Sequence, residues 1–218
     1  MKFNTKWTLG ALTVAALLAG CAAAPNVAEV KALTDKIVKA SFQTKGIAKV
    51  DRVLNIDETN LACAEADVAG KPLDEKTAKA IEAMNLKAVK WPSDGKFIGD
   101  WKKGEAVAQS GRGLTWSDNE KTVNGGNCYN CHQISKQEIS YGTIGPSLYN
   151  YGKLRGITDP NSAAAKPIVE YTWGKIWNSK AYNACSNMPR AGQSGILNES
   201  QVRDIMALLL DPKSPVNQ

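Results

Sequence analysis

The sequence predicts a mainly α-helical protein, and three observations carry that prediction. Apolar residues recur at helical spacing in five stretches, near residues 26–45, 74–86, 100–111, 167–180 and 198–210. No stretch alternates apolar and polar residues long enough to read as a sheet strand. Residues 124–160 hold eight glycines or prolines, too many for a continuous helix, so this part of the chain is mostly loop. The 218 residues are 43% hydrophobic and 22% charged, ordinary globular usage that argues against wholesale disorder and against a multi-span membrane protein. One histidine excludes zinc sites built on two histidines, and mechanisms with separate ligand and catalytic histidines. Five cysteines are too few for a disulfide-dense scaffold. No internal repeat is present.

The first element is an export leader. Lys2 and Lys6 precede a short apolar run from Leu9 to Leu18, too short to span a bilayer permanently. The run ends in Leu18-Ala19-Gly20-Cys21, which resembles the lipobox of bacterial lipoproteins. That resemblance implies a leader over residues 1–20, cleavage before Cys21 and a lipid on its sulfur. The rival is ordinary cleavage near Ala22-Ala23-Ala24, which leaves Pro25 awkwardly placed and releases a soluble product. Either route delivers the protein to the periplasm. Removing the leader takes away two lysines and twenty residues, so the charge falls from +6 to +4 over 198 residues. That is too mild a charge for a nucleic-acid partner.

Residues 21–94 read as an N-terminal extension too small for a large core of its own. Val27, Val30, Leu33, Ile37 and Val38 predict an amphipathic helix over 26–45. Asp74 caps a second helix running to about Leu86 with Ile81 and Met84 on its apolar face. Trp91-Pro92-Ser93-Asp94-Gly95 is a turn and the domain boundary. Residues 95–218 form the second domain. It opens with a helix over 100–111, with Trp101 and Val107 inward. Pro167 suits the first turn of a helix to about Lys180, with Trp173 and Trp177 stacked one turn apart. Asn198 with Gln201 forms a capping box for a last helix to about Leu210, with Val202, Ile205, Met206 and Leu209 inward.

The chemistry lies in Cys128-Tyr129-Asn130-Cys131-His132. Two thiols two residues apart can add across the vinyl groups of a haem, and the adjacent histidine then reaches the iron. A zinc site would need further ligands from Cys63 and Cys185 and would have to hold adjacent Cys131 and His132 together. A thioredoxin-like cysteine pair would need a βαβ surround that this sequence lacks. The pentad therefore predicts one covalent haem c, with His132 as the proximal ligand because no other histidine exists. For the opposite face, Met84 and Met206 read as core residues on helix stripes. Met188 lies in the proline-stiffened Asn187-Met188-Pro189-Arg190 and is the predicted second axial ligand. A His/Met pair fills both axial positions and suits electron transfer. Gly142 to Leu148 (GTIGPSL) adds a Pro146 carbonyl able to accept from the imidazole, and Leu148 to pack on the ring. This order of motifs is shared with mono-haem class I cytochromes c, so the predicted architecture is that fold with a partly helical extension.

Beyond the class, the residues resemble the SoxX family, the cytochrome subunit of sulfur-oxidising SoxXA (SoxAX) complexes. The resemblance rests on the haem pentad, Gly145-Pro146-Ser147-Leu148, Tyr171 to Asn178 (YTWGKIWN), and above all Ala184 to Gly192 (ACSNMPRAG). It covers about residues 96–211, with Ala191 where a bulkier residue is usual. It implies a heterodimer with a SoxA-type subunit that carries the catalytic haem. That complex is an L-cysteine S-thiosulfotransferase, which joins thiosulfate oxidatively to a cysteine of the SoxYZ carrier. The present chain would pass electrons from the partner haem to a soluble cytochrome c and hold no catalytic residue itself. Two other classes stay open: a free-standing periplasmic electron carrier, and a haem-based sensor or ligand trap. A long extension is of little use to a diffusible carrier.

Cys63 and Cys185 remain. In an oxidising compartment two leftover cysteines commonly pair, which would tie the extension to the Met188 loop. Unpaired thiols, or Cys185 as a reactive sulfur carrier, are the alternatives. Lys102, Lys103, Lys121, Lys136, Lys153, Arg155, Lys175 and Arg190 either rim an exposed haem edge and steer acidic partners, or form a plain solvated surface. Arg190, beside Met188, is the one expected near a haem propionate.

Overall fold

Helix starts along the chain follow from side chains that satisfy the first free amides. Asn26 accepts from the Glu29 amide at 3.0 Å while the Glu29 carboxylate accepts from the Asn26 amide at 3.1 Å, opening α1 (Val27–Ser41). After the short α2 (Asp51–Leu54), Asp57 caps α3 (Glu58–Val68) and Asp74 caps α4 (Glu75–Lys87). Asp100 caps α5 (Trp101–Gln109), Pro167 occupies the first turn of α6 (Lys166–Trp177), and an Asn198–Gln201 capping box opens α7 (Glu199–Leu210). The computed structural model describes residues 26–218, so the leader and the Cys21 lipidation site lie outside the described residues. Among the described residues there is no β-strand, only an isolated bridge between Lys45 and Ala48.

The core is built where α5 and α6 meet α7. Gly104 lies at the α5–α7 crossing, where a Cβ would stand 2.1 Å from the Asp204 carbonyl oxygen, so only glycine lets the helices approach this closely. The Asp204 carboxylate accepts from the Asp100 amide at 2.8 Å and so couples the start of α5 to α7. Val202, Met206, Leu208 and Leu210 are fully buried behind this contact. Trp173 and Trp177 stack with centroids 5.6 Å apart, and Phe97 meets Trp173 edge-on at 5.5 Å.

The extension has little interior of its own: among the described residues of α1, α2 and α3, only Thr59 is buried. It is held to the second domain by a polar thread. Asn178 Nδ2 donates to Asn85 Oδ1 at 3.0 Å, and Asn85 Nδ2 donates to Thr59 Oγ1 at 3.2 Å. Trp173 Nε1 donates to the Lys90 carbonyl at 2.9 Å. Arg203 on α7 grips the carboxylate of Asp94, in the turn between the two parts.

Several expectations need correction. Met84 is not core: it is 48% exposed, because α4 turns Ile81 and Asn85 inward and Asn85 has the buried partners just described. Met206 is fully buried. The first helix stops at Ser41 rather than 45, since Phe42 is extended, and its Leu33 and Ile37 face outward. The helix expected to reach Lys180 stops at Trp177, where Asn178 adopts an extended conformation to reach Asn85. Helix α3 was not foreseen; its alanine-rich sequence lacks the apolar periodicity that marked the other helices.

Candidate haem site

Asn127, in the left-handed region at φ 50°, turns the chain into a single 3₁₀ turn over Cys128–Asn130. The amides of Cys131 and His132 both bond to the Cys128 carbonyl, at 3.1 and 3.0 Å. This coils the motif so that Cys128 and Cys131 stand near each other as free thiols, not bridged to one another. Tyr129 between them is buried, donating to Glu105 at 2.9 Å and accepting from the Ser135 amide at 3.2 Å. The motif is thereby fastened to α5. Burial pushes the Tyr129 phenol up to about 12, and does the same to the Cys128 thiol before haem is attached.

The loop after the motif runs back along it. Gly142 donates to the Tyr129 carbonyl at 2.8 Å, Gly145 to the Cys131 carbonyl at 2.8 Å, and Leu148 to the Gln133 carbonyl at 2.7 Å. A Cβ on Gly145 would lie 2.2 Å from His132 Cε1, so the imidazole rests directly on glycine backbone. His132 is 9% exposed, and its Nδ1 is 2.7 Å from the Pro146 carbonyl oxygen. A carbonyl oxygen can only accept, so the proton sits on Nδ1 and Nε2 presents a lone pair. Leu148 is half-buried against the core. Ile139 and Ile144 stand exposed on this same loop, which leaves an apolar rim beside the motif.

Met188 lies on a loop held from several directions. Its carbonyl accepts from Ser179 Oγ at 2.5 Å and its amide donates to Ser186 Oγ at 3.2 Å. Lys180, buried, donates to the Ala184 carbonyl at 3.1 Å. Burial, reinforced by the nearby Arg190 charge, lowers the Lys180 pKa. Cys185 is disulfide-bonded to Cys63 of α3. Arg190 forms an ion pair with Asp57, the cap of α3. Burial alone would raise the Asp57 pKa, but the Asn60 amide and the Arg190 guanidinium outweigh it and hold it below the usual carboxylate range. Between α3 and this loop lies a cavity of about 470 Å³, walled by the disulfide, Lys180, Met188 and Arg190.

Two unbridged thiols in one turn and a histidine with a free Nε2 are the donor set a covalent haem requires. An independent observation agrees. Trp177 is 7% exposed, its ring packs on Gly192, and its indole N–H has no acceptor among the described residues. A buried donor without a partner fits a group that brings its own carboxylates, as haem does. The residues that would hold haem here are Cys128 and Cys131 by thioether bonds, His132 through Nε2, and Met188 from its clamped loop.

Of the basic residues singled out from the sequence, Lys102, Lys103, Lys121, Lys136 and Lys153 are exposed. Lys175 instead donates to the Ser179 carbonyl at 3.1 Å, and Arg155 stacks on the Tyr151 ring at 3.6 Å. Sequence reasoning did not single out Asp57, Ser179 or Lys180. Their only local signal is the helix-cap position of Asp57 and the placement of the other two just after the YTWGKIWN stretch.

Residues 102–212 match the sequence model of the family described as Cytochrome c. A protein of Aquifex aeolicus (strain VF5), described as an uncharacterized lipoprotein, is 33% identical over 217 residues, spanning 96% of this chain and 98% of its own length. The chain belongs to the cytochrome c family, whose domain carries covalently bound haem c and serves haem-based electron transfer.

Proposed function

We propose that this chain is the electron-transfer subunit of a periplasmic thiosulfate-oxidising complex of the SoxXA type, anchored by a lipid on Cys21. The observation that carries the reading is the clamped Ala184-to-Gly192 segment. It is the stretch that most resembles SoxX, and it presents Met188 on a loop tied to the extension by Cys63–Cys185 and Asp57–Arg190. Haem c supplies a one-electron couple. Pro146 keeps the His132 proton on Nδ1 and leaves Nε2 for a haem iron, and the Met188 thioether would be the second ligand. A haem held by both residues would leave no position on this chain for substrate. Conjugation of thiosulfate to a thiol, which releases two electrons and one proton, belongs on a partner haem subunit. This chain accepts those electrons singly and passes them to a soluble cytochrome c across the Ile139–Ile144 rim. Arg190 gives one amino group to Asp57, and its remaining donors would serve a haem propionate. A lipidated Cys21 agrees with the name of the Aquifex relative.

The test is gentle purification of the tagged protein from membranes, with haem staining of every polypeptide that accompanies it. A second haem polypeptide in equal amount, and reduction of both haems by thiosulfate and carrier thiol, is the expected result. A lone haem chain indifferent to thiosulfate would leave a free-standing electron carrier and overturn the proposal.

A further inference from the structure

The first two helices and the loop beneath them expose apolar side chains that no part of the fold uses. Leu33 and Ile37, one turn apart on α1, are 59% and 52% exposed. Phe42 at the end of α1, and Val53 and Ile56 around α2, are exposed as well. Trp116 is 58% exposed, with Lys45 stacked on its ring at 3.7 Å and Gly46 packed on its carbonyl. Lys36, Lys39 and Lys49 in the same region form no ion pair among the described residues. A strip of leucine, isoleucine and tryptophan bordered by unpaired lysines is what an interfacial helix presents to anionic headgroups. The chain supplies the geometry too: α1 begins six residues after Cys21, a linker that reaches at most about 20 Å.

We propose that the outer face of α1 and α2, with Trp116, docks on an anionic bilayer surface. The docked face would lay the haem domain in one orientation against the membrane instead of leaving it to swing on a lipid tether. A lipid on Cys21 tethers the chain without fixing its orientation, and a basic amphipathic face supplies that orientation. The inference rests on the anchoring part of the proposed function for the position of the helix, but its test does not.

Holoprotein beginning at residue 22, exported behind a leader that is not acylated, is sedimented with vesicles of phosphatidylcholine containing phosphatidylglycerol. The expected result is binding that weakens with salt and with removal of phosphatidylglycerol. It should fall at least about tenfold in Leu33→Asp/Ile37→Asp, and to a smaller degree in Trp116→Ala. Haem absorption of each variant shows that it is folded, and Leu154→Asp, an exposed apolar site on the haem domain, should bind as wild type does. Absence of wild-type binding, or binding indifferent to the α1 substitutions, overturns the proposal and leaves the face to a protein partner. Mass spectrometry of acylated Cys21 in the native protein reads the anchor separately, so either idea can fail alone.

Discussion

Arg190 reaches back 133 residues to form an ion pair with Asp57, the residue that caps α3. Two positions earlier on the same loop is Met188. The extension is held to the second domain by a salt bridge, a disulfide and a polar thread through Asn85, with Val89 as its contribution to the shared apolar core.

The Asp57–Arg190 pair should weaken in acid. The Asp57 pKa is depressed in the folded protein, so its contribution is present above the ordinary carboxylate value and is lost as pH falls through the folded one. Asp57→Asn should cost under about 1 kcal/mol at pH 7, since the pair is partly exposed. The difference from wild type should shrink toward pH 3. Urea unfolding at the two pH values checks this; a pH-independent difference would show that the carboxylate charge is not what acts.

Removing the Cys63–Cys185 bridge frees a loop with a sequence separation of 122. Cys63→Ser/Cys185→Ser should lower stability by up to about 5 kcal/mol in the loop-entropy description. The loss should be accompanied by looser Met188 ligation, read as a drop in the reduction potential. Treating wild type with a phosphine reductant should reproduce both effects.

Gly145→Ala places a methyl against His132, where the glycine Cβ position is 2.2 Å from the ring. The imidazole must move off the Pro146 carbonyl, so haem incorporation or the low-spin spectrum should be impaired. Gly104→Ala should instead destabilise the fold by about 1–3 kcal/mol through the α5–α7 contact, leaving the spectrum of the folded fraction unchanged. Spectra and urea midpoints separate the two.

Met188→Ala should abolish the thioether-to-iron absorption and lower the reduction potential, while leaving the covalent attachment through Cys128 and Cys131 intact. A holoprotein spectrum unchanged by this substitution would remove Met188 as a ligand.

Trp177→Phe keeps the buried ring and removes the indole N–H, which lacks an acceptor among the described residues. If haem carboxylate is that acceptor, the pH dependence of the reduction potential should shift with little loss of thermal stability. An unchanged redox profile would assign Trp177 to packing alone.

Contiguous features were legible from residue order alone. Asn198 with Gln201, Pro167 at a first turn, the Trp173–Trp177 stack and the buried Met206 depend on neighbours within a turn or two, and helical geometry dictates those. The haem pentad was equally legible, because its chemistry requires its residues side by side. Met84 misled because apolar spacing assumes that an apolar stripe faces in. In α4 the inward place is taken by Asn85, whose partners Thr59 and Asn178 come from remote parts of the chain.

The sequence by itself determined a helical haem-c protein with a single histidine, since local spacing and residue counts suffice for both. Only the tertiary structure decided that Asp57 meets Arg190, that Asn178 ends α6 to reach Asn85, and that Leu33 and Ile37 face outward. Those outcomes depend on which distant surfaces come together, and the free energy of each pairing belongs to two segments at once, so neither segment announces it alone.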